Sequence, residues 1–300
     1  MKILKITSAV IALLLIAVVF MAKNQASSMV NHPVGNRPLP NETPADVGVV
    51  FENVQAQTID GLLLDGWYVP SQNSSLIIMQ HGYKYHRGTF IEEVAMFARA
   101  GYGVLVTSIR AHENNPGLHI TFGMEEVKDL DAWVQFALNI PGINPEKLGM
   151  LGESMGGSMV IQYAASHQSI KAVVAHSAFS SLADTIATSV RYFTGLPPFP
   201  FAPLIQFWAE QELGIDADAV DAKLWISDIS PRPVFIINSL TDRVISPESG
   251  VLLYEAAREP KQLWEETGVT HKDFDTFFPE KFESKVVGFF NQYFFPEITL

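Results

Sequence analysis

The sequence predicts an α/β fold, a mostly parallel sheet with helices on both faces and a helical insertion over the strand ends. Three observations predict it. Short apolar runs alternate with stretches of helical apolar spacing, the rhythm of βα units. Two strand-like segments joined at a tight turn precede that alternation. A Gly-x-Ser-x-Gly turn lies between one of the strands and the helix after it.

Composition bounds the rest. Of 300 residues, 48% are hydrophobic and 17% charged, which excludes intrinsic disorder. The formal net charge of −12 repels phosphate backbones and argues against nucleic-acid binding. With no cysteine, disulfides, thiolate chemistry, Fe–S clusters and Cys-bearing zinc sites are excluded. No His-Glu-x-x-His or other metal-ligand spacing stands out, so neither metal nor cofactor is expected.

The chain opens with Lys2 and Lys5, then runs uncharged from Ile6 to Ala22 and stops at Lys23. The run is longer than a usual signal-peptide core and slightly short of the roughly 20 residues that span a bilayer. The expectation is a signal-anchor helix over 1–24 that tethers the chain to a membrane through residues 6–22. A cleaved signal peptide and a soluble core helix are the alternatives. The basic N-terminus places that end in the cytoplasm and the folded domain outside. Cleavage would leave the mature chain secreted or periplasmic. Residues 25–46, rich in Asn, Ser and Pro, read as an extended linker.

The folded domain is expected over 47–300. Val49–Thr58 and Leu62–Val69 read as strands joined at Asp60-Gly61. Ser75–Gln80 reads as a strand buried on both faces. Phe90, Ile91, Val94, Phe97 and Ala98 mark a helix that Gly101 stops. Gly103–Ile109 is the next strand, and Val127, Leu130, Trp133, Val134, Ala137 and Leu138 mark the next helix. Strands at Lys147–Gly152, Ile170–Ala175, Pro233–Asn238 and Gln262–Glu266 follow. Helices are expected at Met155–His167, Pro247–Arg258 and Phe282–Phe295. Residues 179–228 break the rhythm and read as a helical cap insertion. Its aromatic residues Tyr192, Phe193, Phe199, Phe201, Phe207 and Trp208 are either cap core or an apolar wall for a substrate.

Gly152-Glu153-Ser154-Met155-Gly156 is the motif that carries chemistry. A sharp strand-to-helix turn lifts the Ser154 hydroxyl into the cleft at the sheet edge. Strand and helix approach too closely there for a Cβ at Gly152 or Gly156. The N–H of Met155 opens the helix, where it can stabilise a developing oxyanion.

With that motif the chain resembles the α/β-hydrolase superfamily over residues 45 to 297. It is most similar to membrane-tethered serine hydrolases of the Bem46-like and serine-aminopeptidase-like branch. Asp60-Gly61, Gly66-Trp67, Pro70, His81-Gly82, Arg110-x-His112, the elbow itself and Pro233 through Asp242 carry the resemblance. It implies an eight-stranded sheet and a Ser–acid–His triad in that chain order. Only His271 follows the last expected strand, which makes it the base. Asp242, after the strand at 234–238, matches the acid loop; its work would be to hold His271 in one tautomer. Asp228 is a rival that lies before that strand, and Asp273 and Asp275 follow the histidine. Relatives use the N–H after the His-Gly pair as an oxyanion donor, here Tyr83, beside Met155. His81 itself reads as a structural histidine bonded to backbone. The chain departs from relatives at Ala111 and Glu113, where glycines are common, and in the bulk of Tyr83 to His86.

The implied activity is hydrolysis of a carboxylic ester, with a small-molecule or lipid-like apolar substrate, through an acyl-enzyme on Ser154. An amide, peptide or thioester bond is the alternative. An aminopeptidase needs an acidic residue to hold the substrate ammonium, and Glu153 is the candidate by position. A binding module without catalysis is the third reading.

Overall fold

The computed structural model describes residues 2–296. The ends of two expected segments, Met1 and residues 297–300, lie outside the described residues.

α1 (Lys2–Val30) is followed by a segment with short 3-10 turns, then the strands β1 (Glu52–Gln57), β2 (Leu63–Val69) and β3 (Leu76–Gln80). Next come α2 (Ile91–Arg99), β4 (Gly103–Thr107), α3 (Glu126–Leu138), β5 (Leu148–Glu153), α4 (Met155–Ser166) and β6 (Ala172–His176). The insertion holds α5 (Leu182–Thr194), α6 (Pro198–Leu213) and α7 (Ala222–Trp225). β7 (Val234–Ser239), α8 (Ser249–Ala256), β8 (Lys261–Glu266), α9 (Phe274–Phe277) and α10 (Pro279–Phe294) complete the described chain.

The sheet has 8 strands in the order β1-β2-β4-β3-β5-β6-β7-β8. β1 and β2 pair antiparallel, as the Asp60-Gly61 turn predicts, and β2 pairs antiparallel with β4; the remaining ladders are parallel. The central strands are buried on both faces, which explains their unbroken apolar runs. Period-2 alternation divides β3 between two cores. Leu76 and Ile78 join α3, α4 and α8 on one face, while Ile77 and Met79 join α2 and α10 on the other. All the parallel strands end at one edge, and the loops that leave it carry the site.

The structure corrects the expected boundary between anchor and linker. α1 does not end near residue 24 but runs on to Val30. Ala22, Ala26 and Val30, four residues apart on one stripe, are buried. This stripe packs on α6: Lys23 lies 5.0 Å from the Trp208 ring, and Ser27 Oγ donates to Glu212 at 3.0 Å. Nor is 31–46 an extended linker. Asn31 bridges to His119, the Arg37 guanidinium donates to the carbonyls of His32, Asn115 and Gly117, and residues 44–47 form a 3-10 turn.

Candidate active site

Ser154 stands between β5 and α4 with φ 55 and ψ −122, a left-handed conformation that only a strongly determined turn imposes on a non-glycine residue. The turn is fixed from both sides. Ser154 N–H donates to His176 O on β6 at 2.8 Å. A Cβ at Gly156 would stand 2.2 Å from Gln80 O, and one at Gly152 would stand 2.3 Å from Gly156 O. These contacts are the physical reason for the glycines of the motif.

The structure brings the three expected side chains together. His271 Nε2 lies 3.0 Å from Ser154 Oγ, and His271 Nδ1 lies 2.6 Å from Asp242 Oδ2. The other oxygen of Asp242 accepts from the N–H groups of Val244 and Ile245 at 2.8 and 3.0 Å, which fixes the carboxylate in its loop. The His271 loop is held in turn by Ser177 Oγ, which donates to His271 O at 2.6 Å, and by Thr241 Oγ1, which donates to Val269 O at 2.7 Å. Asp228 is exposed; its carboxylate accepts from Ser227 and its carbonyl from Arg232, both near neighbours. Asp273 accepts from Thr270 at 2.6 Å.

Tyr83 follows the His81-Gly82 pair at the end of β3. Its N–H and that of Met155 donate to no acceptor among the described residues. A Cβ at Gly82 would sit 3.0 Å from Ser154 Cβ, so glycine permits the close approach of this loop to the hydroxyl. His81 is buried, with Nδ1 2.9 Å from Gly82 O, and burial lowers it to about 4, which keeps it neutral. This is a structural role, as its place in the sequence suggests.

The Arg110-x-His112 motif supports the same loop. Arg110 pairs with buried Asp129 at 2.7 Å and with Asp60 at 2.9 Å. His112 accepts the N–H of Lys84 on Nε2 at 3.0 Å, and its Nδ1 lies 2.9 Å from Arg110 O. Ala111 and Glu113 take φ 56 and φ 49, so the loop adopts the left-handed conformations natural to glycine although it lacks glycine there. Glu113 uses its side chain to bind Arg87 at 2.7 Å.

Glu153 is not an ammonium site. It is 2% exposed and accepts from Lys272 at 3.1 Å. Burial opposes its ionisation, yet Lys272 and His176 hold it down to about 2. Burial and then the charge of Glu153 push nearby Glu93 well above the usual carboxylate range. Lys272 escaped the sequence reading. It follows His271, as Glu153 precedes Ser154, so two neighbouring pairs join the same two loops.

A cavity of about 400 Å³ opens at Ser154 and His271. Its walls are mostly apolar: Phe122, Phe179, Leu182, Ile186, Val190 and Ile205 belong to them, and among the described residues Lys84 is the one Lys, Arg, Asp or Glu that lines it. Of the cap aromatics singled out in the sequence, Phe193 alone lines it. Phe199 is exposed, and Phe201 packs on the core cluster. Three lining residues come from α1, namely Gln25, Ser28 and Met29. α1 is also tied to the Tyr83 loop, for Tyr83 Oη donates to Met29 O and Lys84 Nζ to Ser28 O, both at 2.8 Å. No apolar periodicity in 24–30 signals this part.

A family model described as serine aminopeptidase, S33, matches residues 71–210. The uncharacterized protein YqkD of Bacillus subtilis is 29% identical over 207 residues, 68% of this chain and 67% of its own. The uncharacterized protein Rv2307c of Mycobacterium tuberculosis is 25% identical over 93% of this chain and 90% of its own. Among solved structures, the Pyrococcus furiosus esterase Pf2001 superposes with a TM-score of 0.71 at 26% identity, covering 85% of this chain and 97% of that one. The acylaminoacyl peptidase of Pyrococcus horikoshii shares the fold, with a TM-score of 0.63 at 17% identity over 82% of this chain and 41% of that one.

Proposed function

We propose that this chain, an α/β hydrolase of the serine-hydrolase kind, cleaves apolar carboxylic esters while tethered to a membrane by α1. The observation that carries the reading is the hydrogen-bonded series Ser154–His271–Asp242 at the floor of an apolar cavity. Ser154 Oγ attacks the ester carbonyl as His271 Nε2 takes its proton. The oxygen of the tetrahedral intermediate receives the N–H groups of Tyr83 and Met155. Asp242 accepts the hydrogen bond of His271 Nδ1–H without taking its proton, and so steadies the imidazolium. His271 then protonates the leaving alcohol, and water, deprotonated by the same nitrogen, releases the acid from Ser154.

The cavity lining favours esters over peptides with a free N-terminus. Among the described residues that line it there is no carboxylate to receive an ammonium, and Glu153 is already committed to Lys272. An apolar acyl group gains roughly 0.8 kcal/mol per buried CH₂ in such a space. The uncharged residues 6–22, exposed apart from half-buried Val18 and buried Ala22, support the tether, and the basic N-terminus supports a domain outside the cytoplasm.

The test is covalent labelling with a fluorophosphonate, then turnover of p-nitrophenyl esters of rising chain length beside an aminoacyl anilide. Labelling should vanish in Ser154→Ala, with turnover lower by about 10³-fold or more and the fold intact. Equal labelling of the variant moves the nucleophile elsewhere. Preference for the anilide overturns the ester reading.

A further inference from the structure

The cap carries a surface that the catalytic reading does not use. No charged residue occurs between Arg191 and Glu210, a stretch that covers the end of α5, the turn after it and most of α6. Its rings point outward: Phe193 is 70% exposed, Phe199 79% and Phe207 48%. A soluble domain has no reason to show such a cluster to water, and contiguous exposed apolar patches mark contact surfaces.

What covers this patch follows from its neighbour. α6 and α1 run side by side in the same direction. Lys23 meets Trp208, and one turn further along both helices Ser27 meets Glu212. The part of α6 before Trp208 therefore lies along the part of α1 before Lys23, and that part of α1 is the uncharged one. The first charges reached on the two helices are Lys23, which meets Trp208, and Glu210, two residues further along α6. Trp208 is half-buried at this boundary with its ring against Lys23, at the depth where tryptophan is enriched in membrane proteins. The net charge of −12 gives no electrostatic attraction to an anionic leaflet, so contact with lipid must be apolar. The catalytic cavity reaches the same patch, because Phe193 both lines it and is exposed.

We propose that the tip formed by α5 and α6, from Tyr192 to Phe207, inserts into the leaflet beside α1, and that the substrate passes along it from the membrane to Ser154. The substrate class is then a membrane-resident ester with an apolar acyl chain. The inference rests on the reading of the chain as a tethered ester hydrolase, and the experiment separates the two.

The full chain is reconstituted in phosphatidylcholine vesicles, plain or with brominated acyl chains. The emission of Trp208 is taken as the difference between the chain and its Trp208→Phe variant. Insertion quenches this emission in brominated vesicles, and an unquenched Trp208 overturns the proposal. In parallel, Phe199→Asp/Phe207→Asp, at positions outside the cavity lining, is compared with the parent chain on a soluble acetate ester and on a long-chain ester dissolved in the vesicles. The acetate rate should be unchanged and the vesicle rate lower by about tenfold, since charges are driven from hydrocarbon. Equal rates on both substrates overturn the entry route. A parent chain that is quenched but cleaves neither ester leaves the insertion standing and sinks the ester reading. Should the parent chain be a dimer that the double variant dissociates, with Trp208 unquenched in both, the patch covers a second copy and the membrane proposal falls.

Discussion

Asp242 spends one carboxylate oxygen on its own loop and the other on His271. Asp242→Asn keeps the oxygen for the loop but presents the wrong partner to the imidazole. Turnover is expected to fall by about 10⁴-fold with the unfolding midpoint little changed. Asp228→Asn, at an exposed position, should leave both unaltered. Steady-state kinetics on the two purified variants decide between them, and the reverse order of damage moves the acid. The neighbouring pair makes a different prediction. Lys272→Met leaves Glu153 buried without its cation, which costs about 3–5 kcal/mol. Glu153→Gln combined with it should recover most of that loss in chemical denaturation. No recovery in the double variant means that the two residues act separately.

At the scale of elements, α1 is the surprise. Its last two turns wall the cavity and hold the carbonyls that Tyr83 and Lys84 grip. A chain begun at Gln25 keeps Ala26, Val30 and both carbonyls, and should be soluble and active on a short ester. A chain begun at His32 loses them and should turn over at least roughly tenfold more slowly, because small displacements at a reacting centre are costly. Equal kcat for the two truncations would show that α1 has no part in the site. The sequence could not disclose this docking. The buried stripe is Ala22, Ala26 and Val30, too small and too sparse for an apolar period, and its partner α6 lies far along the chain. The strands and helices of the sheet were legible for the opposite reason. Their apolar residues recur at the period of the element that buries them. Even the helical insertion was legible as an interruption, but aromatic density carries no direction. The sequence offers Phe199 as cap core or pocket wall alike, and the ring is exposed.

For the whole molecule, the expectation is retention in the membrane pellet after carbonate extraction of the full chain, against release of the chain begun at Gln25. The motive is the uncharged run 6–22, roughly 25 Å of helix at 1.5 Å per residue. Release of both would mean that the run is removed or never inserted. The elbow, the acid loop and the late histidine were readable at long range because the fold sets their order along the chain. The clamp of Glu153 on Lys272 was not, since it depends on two loops meeting side by side.

α1 enters the domain as one unbroken helix, which leaves no swivel between the proposed anchor and the catalytic domain. Under the proposed tether, the domain turns with its helix about the membrane normal and samples a disc of lipid instead of a volume of solvent. Encounter is then set by lateral diffusion, and the concentration that governs the rate is the ester's mole fraction in the bilayer. Inert lipid added at constant total ester should slow this enzyme, whereas added buffer should not.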